Sequence, residues 1–337
     1  MTTDLGQAVF TDGVDADVPW HYGDPLREQR ILATAAGVVD RSNRPVLTVS
    51  GDDRLSWLHT ICSQHVSELS EGDVTESLVL SPHGHVEQQW AVTELGGVVW
   101  IDTEPGAAPV VLDYLHKMQF LRRVESADAS PEWALLSVVG PAADEVLARA
   151  GLATPAAGHA EQLKSGGFVR RLPDPAIAAA DLVVPRGDLA ATMDLLRRSG
   201  ATPAGMWAYD ALRVQARLPR LGFETDHRTI PHEVGWIGSA VHLNKGCYRG
   251  QETVARVQNL GRPPRRLVLL HLSGDSDVLP PQGTPVELAG RAIGFIGTAV
   301  HHHELGPIAL AVLKRSTADD AALSVAGVPA AIDPDIV

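Results

Sequence analysis

Lys245-Gly246-Cys247-Tyr248-Arg249-Gly250-Gln251-Glu252 is the stretch on which the reading of this chain turns. Two glycines bracket the cysteine, so the backbone can bend sharply there and leave the sulfur accessible. Lys245 and Arg249 stand two residues to either side, and nearby cations favour thiolate over thiol. Glu252, Val254 and Val257 suit a helix beginning at Gln251, whose amino-terminal dipole would act in the same direction. Cys247 is therefore read as a reactive thiol, and Lys245 as its electrostatic activator. A small cysteine merely buried in a basic loop is the competing reading, and the flanking glycines and cations speak against it.

The loop lies in a basic run of an otherwise acidic chain. Lys245 to Arg266 holds Lys245, Arg249, Arg256, Arg262, Arg265 and Arg266 against Glu252 alone, whereas the whole carries 41 acids and 28 Lys plus Arg, net −13. That balance opposes general affinity for nucleic acid, which needs clustered cations to displace counterions. Arg262 to Arg266 reads either as a solvated linker or as an attraction for an anionic polyglutamate tail. With 337 residues and 45% hydrophobic content, the chain is globular and long enough for two or three domains. No apolar run reaches the roughly 20 residues that span a bilayer. The first 22 residues lack a basic and then apolar signal pattern, so a cytoplasmic location is expected.

Upstream, Gly23-Asp24-Pro25 opens a helix to Ala36, and strand Val46 to Val49 leads through Ser50-Gly51-Asp52-Asp53 into a helix capped by an Asp side chain. Ser77 to Leu80 and Val86 to Thr93 flank a hairpin turn, Ser81-Pro82-His83-Gly84-His85, before strand Val98 to Asp102 and helix Ala107 to Leu121. Alternating strands and helices from Pro131 to Arg198 read as α+β packing, and Tyr209 to Arg217 as a further helix. After Gly261-Arg262-Pro263-Pro264 the texture turns to short β runs with glycines at 283, 290, 294 and 297, as in a small antiparallel barrel. The expected domains are 1–130 with 205–260, then 131–204, then 261–337. Cys62 reads as core on its helix. His301-His302-His303 cannot all face one metal from a strand, and no metal site is expected.

Lys-Gly-Cys-Tyr-x-Gly-Gln-Glu at 245–252 resembles the signature of the YgfZ family. Gly37-Val38-Val39-Asp40-Arg41-Ser42, Leu80-Ser81-Pro82-His83-Gly84-His85-Val86 and Ile230-Pro231-His232-Glu233-Val234-Gly235 are similar to elements of its parent, the glycine-cleavage T-protein superfamily. The resemblance implies three domains around a central channel holding tetrahydrofolate, with or without a polyglutamate tail, and a role in assembling or repairing iron-sulfur proteins. Its partners would be iron-sulfur client proteins or assembly factors, with neither nucleic acid nor membrane. Signature residues Gly246, Tyr248, Gly250, Gln251, Glu252 and Arg256 join Cys247 and Lys245 as site candidates, and Gln89, Arg213, Gln215 and Trp236 are candidates for folate.

Two departures separate the chain from aminomethyltransferases of that superfamily. Gln88 and Gln89 occupy the positions of adjacent carboxylates, and an amide cannot accept a proton or stabilise a cation by charge. Gln215 stands where a glutamate recognises the pterin, and offers one acceptor oxygen in place of two. Arg213 either clamps folate or pairs with Asp210, and Trp236 either stacks on a pterin or plugs the core. A tetrahydrofolate-dependent one-carbon enzyme is the runner-up reading, and a folate-binding scaffold without chemistry the third.

Overall fold

The computed structural model describes residues 7–173, 176–274 and 278–334. Its chain forms two compact units, one of residues 1–79, 88–209 and 238–249, the other of 80–87, 210–237 and 250–337.

The first unit is built on two sheets. One runs Val74–Leu80, Val86–Leu95, Val98–Asp102, Val46–Ser50, Glu125–Asp128 in spatial order; the other Thr202–Ala204, Gly37–Asp40, Trp133–Val139, Ala179–Pro185, Phe168–Arg170, Ala160–Gln162. Side chains alternate across a strand, so each sheet has two faces to cover. Leu47, Val49, Trp90, Val92, Val99 and Ile101 pack under helices Arg54–Ile61 and Ala108–Gln119 through Trp57, Leu58, Val111 and Leu115. Val38, Leu136, Val138 and Leu182 do the same under Ala143–Arg149 and Leu189–Arg198. The opposite faces meet each other through Val46, Val74, Leu95, Leu135, Phe168 and Val183. The unit is thus layered helix, sheet, sheet, helix.

A network of charges crosses the layer between the sheets. Arg170, 1% exposed, donates to Asp102 of one sheet and to Asp181 of its own, the latter at 3.2 Å, and reaches Thr93 Oγ1 at 3.3 Å. Arg44 binds Asp102 at 3.1 Å and Glu104 at 2.9 Å, while Arg41 reaches Ser137 and Asp181. Burial opposes ionisation of Asp102, yet Arg170, then Arg44 and Arg41, outweigh it and hold the carboxyl below its ordinary value.

In the second unit, Arg265–Leu272, Gly306–Lys314, Arg291–His302, Pro285–Leu288, Leu323–Val325 and Val328–Ile332 close into an antiparallel barrel in that order. The expected barrel is therefore present, with Leu323–Val325 and Val328–Ile332 as strands that local texture did not show. Ala211 and Val214 of helix Met206–Gln215 pack on its outer residues Leu269, Val300, Ile308 and Leu310. Gly297 is a barrel glycine for a steric reason, since a Cβ there would come within 2.5 Å of the Glu224 carboxylate.

Local expectations fail where geometry or distance intervenes. Asp53 precedes helix Arg54–Ile61 but does not cap it: its backbone is not extended, and its carboxylate accepts the Arg123 N–H at 2.9 Å instead. Gly37–Asp40 is a strand because Trp133–Val139 and Thr202–Ala204 lie on either side, partners that nearby residues cannot reveal. Among the described residues, no helix is long and apolar enough to cross a membrane.

Arg170→Met tests the inter-sheet network. Removing one member of a buried ionic cluster costs about 3–5 kcal/mol, and urea melts at pH 7 should show that loss. Because the folded pKa of Asp102 is depressed, its contribution is present above its unfolded value and fades as pH falls, so the deficit should narrow in acid.

Candidate functional site

The signature loop is tied down by its lysine. Lys245 is 6% exposed, and its Nζ donates to the carbonyls of His59 at 2.5 Å, Cys62 at 2.7 Å and Gln64 at 2.9 Å. Those carbonyls lie at and just past the carboxyl end of helix Arg54–Ile61, where backbone acceptors lack intrahelical donors and the dipole favours a cation. Three bonds match what an ammonium can donate. The same turn grips the approach to the loop: Ser63 Oγ donates to Ala240 O at 2.6 Å, Gln64 Nε2 to Ser239 O at 2.8 Å, and His242 N to Ser63 O at 3.1 Å. Burial lowers the Lys245 pKa, against the nearby Cys62. Cys62 itself is buried, as expected of a core residue, and burial pushes its thiol up.

Cys247 is exposed, as is Gly246, between buried Lys245 and buried Tyr248. The Lys245 ammonium lies 5.2 Å from the Tyr248 ring centroid, and Arg249 6.0 Å from that of Tyr114. Burial pushes the Tyr248 hydroxyl up to about 12, so it stays neutral. The hydrogen bonds of Lys245 thus describe an anchor of the loop; activation of the thiol, the role expected from spacing, is not what they report. Beside this anchor sit three imidazoles that motif reading missed, His59, His65 and His242, with ring centroids 4.7 and 5.2 Å apart. His59 is pushed down to about 4, first by burial and then by Lys245 and His65. Their sequence separation hides the grouping.

Gly250, Gln251, Glu252 and Arg256 belong to the second unit. Helix Gln251–Leu260 begins where expected, after Gly250 at φ 81°. A Cβ on Gly250 would meet Ser81 O at 2.6 Å and Gly84 Cα at 2.8 Å, so the hairpin glycine and the signature glycine allow each other's approach. Glu252 and Arg256 are exposed on this helix.

The folate candidates are divided between the units. In the first, partly exposed Gln89 donates from Nε2 to Glu76 Oε1 at 2.8 Å, and the buried Oε1 of Gln88 has no hydrogen-bond partner. In the second, Arg213 is buried and resolves to the pairing alternative: Nε donates to Asp210 at 2.9 Å, Nη1 to Glu224 at 2.9 Å, Nη2 to Thr298 at 2.5 Å. Gln215 Oε1 lies 3.2 Å from His302 Nε2, and Trp236 is buried. Arg265 grips Asp226 and Glu233, and Arg266 grips Asp319, so two of the three arginines between 262 and 266 are committed to carboxylates. Among the described residues, no three His, Cys, Asp or Glu side chains are placed to hold a metal ion.

Residues 2–163 match the GCVT N-terminal domain, and residues 265–336 match the CAF17 C-terminal beta-barrel domain. An aminomethyltransferase of Symbiobacterium thermophilum is 27% identical over 315 residues, 84% of this chain and 79% of that protein. One of Rubrobacter xylanophilus is 29% identical over 326 residues, 92% and 84% respectively. A putative chloroplastic transferase of Arabidopsis thaliana is 26% identical over 267 residues, 76% of this chain and 60% of that protein. The glycine cleavage system aminomethyltransferase T of Bartonella henselae superposes with a TM-score of 0.87 at 19% identity, covering 97% of this chain and 93% of that one. The α+β, T-protein-like fold with a carboxyl-terminal barrel follows.

Lys245→Met distinguishes anchor from activator. Loss of charged hydrogen bonds should cost about 2 kcal/mol in thermal or urea unfolding, while the pH midpoint for alkylation of Cys247 by iodoacetamide stays where it is. A midpoint displaced upward with unchanged stability would restore the activating role.

Proposed function

We propose that this chain, which joins a GCVT-type amino-terminal domain to a CAF17-type barrel, is a folate-binding accessory protein of iron-sulfur cluster assembly or repair that acts through Cys247. One observation carries the reading: an exposed thiol is presented on a loop whose neighbours, Lys245 and Tyr248, are buried. A cysteine needed only for packing would sit inside, as Cys62 does. The similarity of the loop to the YgfZ signature supplies the iron-sulfur role, and with it client proteins or assembly factors as partners in the cytoplasm. Cluster or sulfur is then cargo passing the thiol.

Tetrahydrofolate can be tested against the side chains. Glu76 with Gln89 offers partly exposed acceptors on one face of the strand pair, which suits the N–H groups of a pterin. Arg213 and Gln215 do not fit, because Arg213 is held by Asp210 and Glu224 and the Gln215 oxygen faces His302. Gln89 and Glu76 are therefore the residues proposed to hold the ligand, Gln88 pointing to the opposite, helix-covered face with Trp90 and Val92. When bound, tetrahydrofolate supplies a one-carbon carrier.

A second reading, a tetrahydrofolate-dependent one-carbon transferase, is favoured by relatives named aminomethyltransferase across most of this chain. Against it stand the amides at 88 and 89, which leave that strand without a proton acceptor at those positions.

Cys247→Ser separates the readings. Because the site is exposed, stability should change by less than about 0.5 kcal/mol, while iron-sulfur enzyme activity, such as tRNA methylthiolation, falls to the level of cells lacking the protein. Full methylthiolation by the variant, together with robust methylenetetrahydrofolate formation from an amine donor, would transfer the assignment to the one-carbon enzyme.

A further inference from the structure

Between the two sheets of the first unit the charges can be counted. Arg41, Arg44 and Arg170 are met by Asp102, Glu104 and Asp181. Glu76 is an additional carboxylate at the edge of this network, on strand Val74–Leu80 beside Gln89 of Val86–Leu95. Among the described residues no cation lies within ion-pair distance of it, and its hydrogen bond comes from a neutral amide. It is also partly exposed, whereas Asp102 and Arg170 are buried. The strand is steadied there, since the main-chain carbonyl of Gln89 accepts from Thr103 Oγ1 at 2.7 Å.

An unpaired carboxylate over a balanced network does nothing for the fold that a glutamine would not do better. Such a group, reachable from outside and oriented by an amide, is the arrangement expected of a ligand contact. We propose that Glu76, oriented by Gln89, is a ligand-facing carboxylate that accepts hydrogen bonds from, and exchanges a proton with, a nitrogen of the bound molecule. It supplies from the neighbouring strand the charge that Gln88 and Gln89 do not. The ligand class is an N–H-bearing heterocycle or protonated amine; that it is a reduced pterin rests on the folate reading. In the exchange a ligand N–H bond breaks, the proton forms an O–H bond on Glu76, and the electron pair stays on nitrogen, so nothing is oxidised or reduced.

The surroundings suit that role. Burial raises the Glu76 pKa above its ordinary value, opposed by the Gln89 hydrogen bond, Arg170 and Arg44 and assisted by Asp102. A carboxyl moved upward is better matched to proton transfer near neutral pH. The sign for stability is the reverse of the usual acid: ionising Glu76 in the fold costs more than in the unfolded chain, so its penalty grows as pH rises through the raised value.

Glu76→Gln, melted from pH 5 to 8 and titrated with tetrahydrofolate by calorimetry, tests this. The variant should gain on wild type as pH rises, by about 1–3 °C, and bind tetrahydrofolate about tenfold more weakly, with the wild-type loss of affinity in acid abolished. Gln89→Leu, which removes a bond that lowers the carboxyl, should move the pH midpoint of that affinity upward. A Glu76→Gln protein that melts lower at every pH, or binds with wild-type affinity and pH profile, overturns the proposal. Wild type that binds no tetrahydrofolate, beside a variant that still gains stability with pH, removes the folate reading and supports Glu76 as a site for another N–H-bearing ligand.

Discussion

A guanidinium sealed between two sheets has to be matched by carboxylates on both, and Arg170 imposes that condition on the first unit. Its bonds to Asp102 and Asp181 join the layers at a point where apolar side chains alone would leave registry loosely defined. Arg44 at Asp102 and Arg41 at Asp181 complete the neutralisation. Once these charges are balanced, the identity of every further polar group there matters. A carboxylate without a cation then stands out as an expense of the fold, and Glu76 is such a group.

The same rule, that a buried cation must be surrounded by acceptors, recurs with different consequences. Arg213 is held by Asp210, Glu224 and Thr298, and it fastens a helix to a barrel strand inside the second unit. Arg265 takes both oxygens of Asp226 and both of Glu233, a fork geometry that lysine could not copy. Lys245 uses carbonyls instead, at the end of a helix where they would otherwise lack donors. In each case a residue that looks available for a ligand is occupied by the protein.

What remains available is correspondingly informative. The Cys247 thiol is exposed beside an anchored lysine, and the Glu76–Gln89 pair is partly open. Both lie in the first unit, and the proposed activities draw on them alone.

Much of the fold was legible locally. Leu189–Arg198, Val98–Asp102 and the start of Gln251–Leu260 fall where apolar spacing and glycine punctuation place them, because period and caps are properties of neighbouring residues. The glycines around Cys247 likewise announced an exposed bend. By contrast, Gly37–Asp40 became a strand only through partners about a hundred residues or more away, and Asp53 failed to cap its helix because Arg123 claimed its carboxylate. The sequence by itself determined which residues could turn, cap, carry charge or react. Tertiary structure alone decided whether each charge was free or bound, as with Lys245, Arg213 and Glu76, because an ion's role depends on the donors and acceptors that distant segments bring to it.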